Sequence, residues 1–193
     1  MPVLHLASSS PRRREILAAL GVPFSYAGAD IDESRLPAES VANMVSRLAR
    51  EKAQASYTGS LPVLGADTIV VLDNFVFGKP TSRDEGLRML GALSGRVHRV
   101  LTAVALVFDG RLEVALSNTK VKFRDIDPDE ADAYWQSGEP EGKAGSYAIQ
   151  GLGGVFVESL TGSYSGVVGL PVFETAKLLR RAGIAVLART KDD

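Results

Sequence analysis

The stretch Leu6-Ala7-Ser8-Ser9-Ser10-Pro11-Arg12-Arg13-Arg14-Glu15-Ile16-Leu17 passes from an apolar run through a serine-rich turn into the start of a helix. Val3 to Ala7 reads as a buried strand, and Ser10 suits the N-cap. Pro11 suits the first helical position, where its missing N–H has no intrahelical partner. Ile16, Leu17 and Leu20 then share one side of the helix before Gly21 stops it. A strand feeding a helix across a tight polar turn points to a mixed α/β fold. The turn is also the outline of an anion site, because first-turn amides and the helix dipole favour negative charge and arginine supplies forked donors that match phosphate oxygens. Three arginines at the positive end of a helix call for a compensating anion, the competing reading being a basic turn solvated on the outer face.

Outward from this stretch, the 193 residues suffice for one sizeable core or two small lobes, and an apolar share of 45% is ordinary for a globular chain. The 22 basic and 23 acidic side chains leave a formal net charge of -1, so bulk charge gives no sign of a nucleic-acid or anionic-membrane surface. Without cysteine there is no disulfide, thiolate nucleophile, thiolate-bound zinc or iron–sulfur cluster. His5 and His98 are too few for a histidine-rich metal centre. No apolar run reaches transmembrane length and no signal-peptide core follows Met1, so a cytoplasmic protein is expected.

Phe24 to Ala29 reads as a second strand, which delivers the acidic loop Asp30-Ile31-Asp32-Glu33-Ser34. Ser40 caps a longer helix with Val41, Met44, Val45 and Leu48 at helical spacing, while Arg47, Arg50, Glu51 and Lys52 take polar directions. On spacing alone Lys52 reads as solvated. Leu61 to Leu72 is a run of strand formers interrupted by Asp67. An ionised carboxylate in an apolar strand is costly to bury unless it is paired or metal-bound, which makes Asp67 a functional pointer; the alternative is a strand-end aspartate bonded to backbone amides.

Asp73-Asn74 turns the chain into Phe75 to Phe77, followed by Gly78-Lys79-Pro80. Ser82 and Glu85 have capping-box spacing at the start of a helix that runs through Leu93. Val97 to Phe108 and Leu112 to Phe123 read as long strands joined by an Asp109-Gly110 hairpin turn, with Arg96, His98 and Arg99 functional or merely decorating a strand edge. Asp127-Pro128 opens a helix that ends near Gly138. The glycine-rich stretch from Glu139 to Gly154 carries Gln150 and is either a ligand-approaching loop or a long connection. Phe156 to Leu160 reads as a strand, Pro171 opens a last helix, and Ile184 to Leu187 reads as a final strand.

Neither a Walker A sequence nor a placed Rossmann glycine fingerprint is present. Scattered cations and separate carboxylates suit hydrolysis of a polyphosphate, with a metal and cations offsetting the ligand's charge and a carboxylate deprotonating water. The ordered pieces Leu6 to Arg13, Gly65-Ala66-Asp67-Thr68, Gly78-Lys79-Pro80, Ser94-Gly95-Arg96-Val97-His98 and Tyr147-Ala148-Ile149-Gln150-Gly151 resemble the Maf family of nucleoside triphosphate pyrophosphatases. The resemblance spans nearly the whole chain. It implies a single domain over residues 1–193, with an elongated mixed β-sheet, flanking helices and two lobes around a central cleft, of the Maf/inosine triphosphatase-like kind.

The resemblance further implies cleavage of a nucleoside triphosphate to its monophosphate and pyrophosphate with Mg2+ or Mn2+, by a cytoplasmic protein of a family whose members are often homodimers; the balanced charge adds the expectation of no nucleic-acid or membrane partner. Carried over, Asp67 matches the catalytic acid that activates water, and Arg12, Thr68 and Gln150 match positions associated with choice of base. Ser8, Arg13, Lys52 and Lys79 match residues lining the phosphate path, and Glu33 matches an acid near the metal that Asp67 also serves. The Tyr147 to Gly151 piece and Gly162-Ser163-Tyr164 resemble the subgroup acting on dTTP and UTP. The Gln150 amide carries the donor and acceptor needed for the O4 and N3–H edge of uracil or thymine, provided neighbours fix its orientation. The alternatives left by the resemblance are the 7-methyl-GTP subgroup and a nucleotide-binding regulator of septum formation.

Overall fold

The computed structural model describes residues 1–187. In chain order the elements are β1 (Leu4–Ala7), α1 (Pro11–Ala19), β2 (Phe24–Ala27), α2 (Val41–Ala55), β3 (Val63–Leu72), β4 (Phe75–Phe77) and α3 (Arg83–Leu93). They continue with β5 (Val97–Phe108), β6 (Arg111–Phe123), α4 (Pro128–Gln136), β7 (Val157–Thr161), α5 (Tyr164–Val168) and α6 (Val172–Arg181). The strands form one mixed sheet in the order β2-β1-β3-β5-β6-β7, with β4 paired to β3. This is the mixed α/β architecture expected. The described residues divide into two compact units, the first of residues 1–67, 102–116 and 169–187 and the second of residues 68–101 and 117–168.

In the first unit β1 pairs in parallel with both β2 and β3, in the registers Leu4 to Phe24 and Leu6 to Leu64. Parallel strands covered on both faces read as continuous apolar runs, and Leu4, Leu6, Leu64 and Ala66 are all fully buried. Leu17 of α1 and Leu178 and Leu179 of α6 close over the same core. Helix α6 ends in a Schellman motif: the Gly183 N–H donates to Arg180 O at 3.1 Å and the Ile184 N–H to Leu179 O at 2.9 Å. Ile184 thereby enters the core, and Leu187 adopts a left-handed φ of 64°. The final strand expected at Ile184 to Leu187 is therefore absent; Ile184 closes the helix cap instead.

One close approach in this unit positions the chemistry. A Cβ on Gly65 would lie 2.6 Å from the Ala53 nitrogen and closer still to the Ala49 carbonyl oxygen. Only glycine lets α2 sit this near β3, and both contacting groups are helix backbone that cannot rotate away. Gly65→Ala is accordingly expected to lower stability by about 2–3 kcal/mol, the upper part of the overpacking range, measured by denaturant unfolding. An unchanged midpoint would mean that α2 shifts freely on the strand.

In the second unit α3 packs on α4, where Gly86 admits the ring of Trp135. The Asp109-Gly110 turn, which belongs to the first unit, has φ of 47° and 69°, as a two-residue hairpin needs. The Asp127 cap is a full capping box with Glu130. At α3 only half of the expected box forms: Ser82 Oγ accepts the Glu85 N–H, while the Glu85 carboxylate turns to the Thr81 N–H and hydroxyl. His98 is no strand-edge ornament. It is 1% exposed on a strand flanked by β3 and β6, bonded through Nε2 to the Tyr147 hydroxyl at 2.8 Å and set edge-on to Phe123. Burial lowers its pKa to about 4, so it is neutral at physiological pH.

Candidate active site

The first unit holds six of the residues singled out above: Ser8, Arg12, Arg13, Glu33, Lys52 and Asp67. Asp67 lies inside β3 and is 7% exposed, with Lys52 Nζ donating to its Oδ1 at 2.7 Å. The same ammonium lies 2.6 Å from Glu33 Oε1. Lys52 is therefore not a solvated helix residue: it is 8% exposed and holds both carboxylates at once. The close seat of α2 on Gly65 brings the last turn of that helix alongside Asp67. Asp67 is no strand-end aspartate tied to backbone amides.

The serine-arginine turn contributes the other three, with Arg12 half-buried in the first turn of α1. Ser8 Oγ accepts the Ser10 N–H at 3.2 Å and a donor from Arg13 Nη1 at 3.2 Å. Ser10 occupies the N-cap position of α1, but its own side chain makes no capping bond. Arg13 Nε donates to the Gly169 carbonyl at 2.9 Å, which fixes the guanidinium. Burial lowers the Arg13 pKa, Asp67 and Glu33 pull it back up, and Arg12 opposes them. The charge that three arginines require at this helix start thus comes in part from Asp67 and Glu33. Arg14 is used differently, its guanidinium stacking 4.4 Å over the Tyr26 ring.

Burial pushes the Asp67 carboxyl above the usual aspartate range, Lys52 and Arg13 drawing it back and Glu33 adding to the rise. A partly desolvated carboxylate with a raised pKa has the affinity for protons that a general base needs. Glu33 is more open, its side chain 54% exposed, in a stretch without regular secondary structure. Arg47 holds that stretch to α2, donating to Ser34 O at 2.9 Å and to both carboxylate oxygens of Glu39 at 2.8 and 3.0 Å. Sequence spacing placed Arg47 only among the polar directions of α2; it also pairs with Glu51, i, i+4, at 3.0 Å.

Thr68, Lys79 and Gln150 belong to the second unit. Thr68 is half-buried on β3, and Lys79 and Gln150 are exposed. The segment bearing Lys79 is tied to the glycine-rich loop, since the Gly145 N–H donates to Gly78 O at 3.0 Å. In that loop the Gly151 N–H donates to Ala148 O at 3.2 Å, closing a turn with Ile149 and Gln150 at its corners. Ile149 points inward at 9% exposure and Gln150 faces solvent.

A family model described as "Maf-like protein" matches residues 3–182. The chain belongs to the Maf family. Among its relatives, one from Pseudoalteromonas atlantica named "dTTP/UTP pyrophosphatase" is 50% identical over 95% of this chain and 98% of the relative. Proteins of the same name from Alkalilimnicola ehrlichii and Bordetella parapertussis are 52% and 50% identical, over 92% and 96% of this chain and 92% and 95% of theirs. Among solved structures, a HAM1 protein from Coxiella burnetii aligns with a TM-score of 0.44 and 19% identity, over 64% of this chain and 73% of that one. The stretches quoted for the resemblance fall on the elements just described: the serine-arginine turn opens α1, Asp67 lies inside β3, and Gln150 stands at the turn corner. No helix of the described residues is long and apolar enough to cross a membrane.

Proposed function

We propose that this Maf-family chain is a pyrophosphatase that cleaves dTTP and UTP to the nucleoside monophosphate and pyrophosphate. The observation that carries the chemistry is the meeting of Asp67 and Glu33 on one ammonium, in the same unit as the Ser8–Arg13 turn. The pyrimidine substrates are supported by relatives half identical over nearly their full length and named for that activity.

A divalent ion fits this donor set. Mg2+ usually keeps several waters and takes one or two carboxylates plus substrate phosphates, and Glu33 and Asp67 are two such carboxylates with converging oxygens. Among the described residues no group of three or more potential protein ligands forms a closed cage, so the remaining positions would fall to water and phosphate oxygens. When bound, Mg2+ or Mn2+ supplies positive charge to the phosphate oxygens.

The rest is work for the side chains. Asp67 takes the proton of the attacking water. The water oxygen adds to phosphorus at the α–β anhydride, the bridging bond breaks, and pyrophosphate carries away the electron pair. Ser8, Arg13 and Lys52 of the first unit and Lys79 of the second are the groups proposed for phosphate oxygens, and Arg12, Thr68 and Gln150 those proposed for the base. Purified protein is expected to release pyrophosphate from UTP and dTTP in the presence of Mg2+ or Mn2+, followed by phosphate-coupled detection and nucleotide chromatography. Release from 7-methyl-GTP with none from either pyrimidine nucleotide would move the chain to the other subgroup.

A further inference from the structure

The turn that carries Gln150 is held from beneath by a carboxylate that the proposed chemistry does not use. Glu139 Oε2 accepts the Leu152 N–H at 2.9 Å, and its Oε1 accepts the Gly153 N–H at 2.9 Å. The Tyr134 hydroxyl donates to the same Oε1 at 2.8 Å and itself accepts the Ala148 N–H at 3.1 Å. One carboxylate and one phenol therefore bond to the backbone on both sides of the Ile149–Gln150 corner.

The glycines around the corner follow from this arrangement. A Cβ on Gly151 would lie 2.6 Å from the Glu139 carboxylate carbon, and one on Gly153 would lie 2.6 Å from the Tyr134 hydroxyl. Burial pushes the Glu139 carboxyl up, but the amides of Gly153 and Leu152 and the Tyr134 hydroxyl outweigh it and hold the pKa below the usual range. Preceding the turn, Tyr147 is anchored in the core by its bond to His98. Gln150 thus projects from a backbone fixed at both ends.

We propose that Glu139, acting with Tyr134, is the positioning residue that orients the Gln150 turn and so sets discrimination between uracil and cytosine. It rests on the reading of Gln150 as a base-reading residue. An amide can turn over to suit either base, and the neighbours that bond it in one sense can do so only while its backbone, and with it the reach of the side chain, is held in one place.

The test uses the full chain with Mg2+, comparing Glu139→Gln, Tyr134→Phe and Gln150→Ala by kcat and KM on UTP and CTP. In Glu139→Gln the amide NH2 faces a backbone N–H that formerly donated. KM for UTP is expected to rise about tenfold, on the scale of one lost buried hydrogen bond, with kcat changed less and the UTP-to-CTP preference reduced by a similar factor. Tyr134→Phe should move the preference in the same direction, and carries the test if Glu139→Gln does not fold. Amide hydrogen exchange gives a second readout: protection at Leu152 and Gly153 should fall in Glu139→Gln, and at Ala148 in Tyr134→Phe.

An equal loss of kcat/KM on both nucleotides, or unchanged exchange at these amides, overturns the positioning role. If Gln150→Ala abolishes the preference and Glu139→Gln leaves it intact, the positioning role alone fails. If Gln150→Ala leaves the preference intact, the base-reading assignment fails and this inference with it.

Discussion

Asp67→Asn is expected to slow hydrolysis of UTP and dTTP by roughly 10²–10⁴-fold, the range of a lost general base, while the fold remains and the unfolding temperature at neutral pH rises. The two effects have one cause. Burial raises the folded-state pKa of Asp67 above that of the unfolded chain, so the folded state holds this proton more tightly. Stability from that difference is fully present below the ordinary carboxylate pKa and is lost as pH rises through the raised folded value. At neutral pH the ionised carboxylate is thus a net liability to the fold, and a neutral amide of the same shape removes it. Thermal unfolding of both proteins from acid to neutral pH should show the variant's advantage growing with pH. A variant that hydrolyses UTP at the native rate would take the role of base away from Asp67.

The same physics explains what could be read from residue order and what could not. Asp67 was legible because a carboxylate among strand formers is anomalous wherever the strand lies. Lys52 was not, because helical spacing reports the direction of a side chain and says nothing of what is packed there. Its burial depends on Gly65, whose missing Cβ admits α2, and that approach joins residues brought together only by folding. The two readings of His98 stayed open for a related reason: whether a strand is central or at an edge depends on pairing order, not on its own composition. Alternating strands and helices were legible down to the Asp109-Gly110 hairpin. The short apolar run after Gly183 was read as a strand, and there the left-handed glycine and the Schellman bonds outweighed strand propensity. Glu139 stood in a stretch dominated by glycine, where the informative event is a bond to backbone amides that no side-chain pattern marks.

Lys52→Met is expected to separate the pH dependence of rate from that of stability. Methionine keeps the length of the stem and removes the ammonium that sits 2.7 Å from Asp67 and 2.6 Å from Glu33. Breaking a buried ion pair by deleting one partner costs about 3–5 kcal/mol, and the lower figure applies here because Glu33 is half exposed and can turn toward water. Asp67 cannot, so it answers by binding its proton more tightly, with Arg13 the remaining cation acting on it. A base protonated at neutral pH is idle. The acid limb of the kcat/KM profile should therefore move upward by at least one pH unit, roughly the pKa change expected when an adjacent opposite charge is lost, and the rate should recover as pH rises. Stability should run the other way, greatest at acid pH and falling as pH passes through the raised Asp67 pKa, as denaturant midpoints across the same range would show. If the rate falls equally at every pH and the midpoints keep the native dependence, the ammonium serves phosphate binding alone and does not set the proton affinity of Asp67.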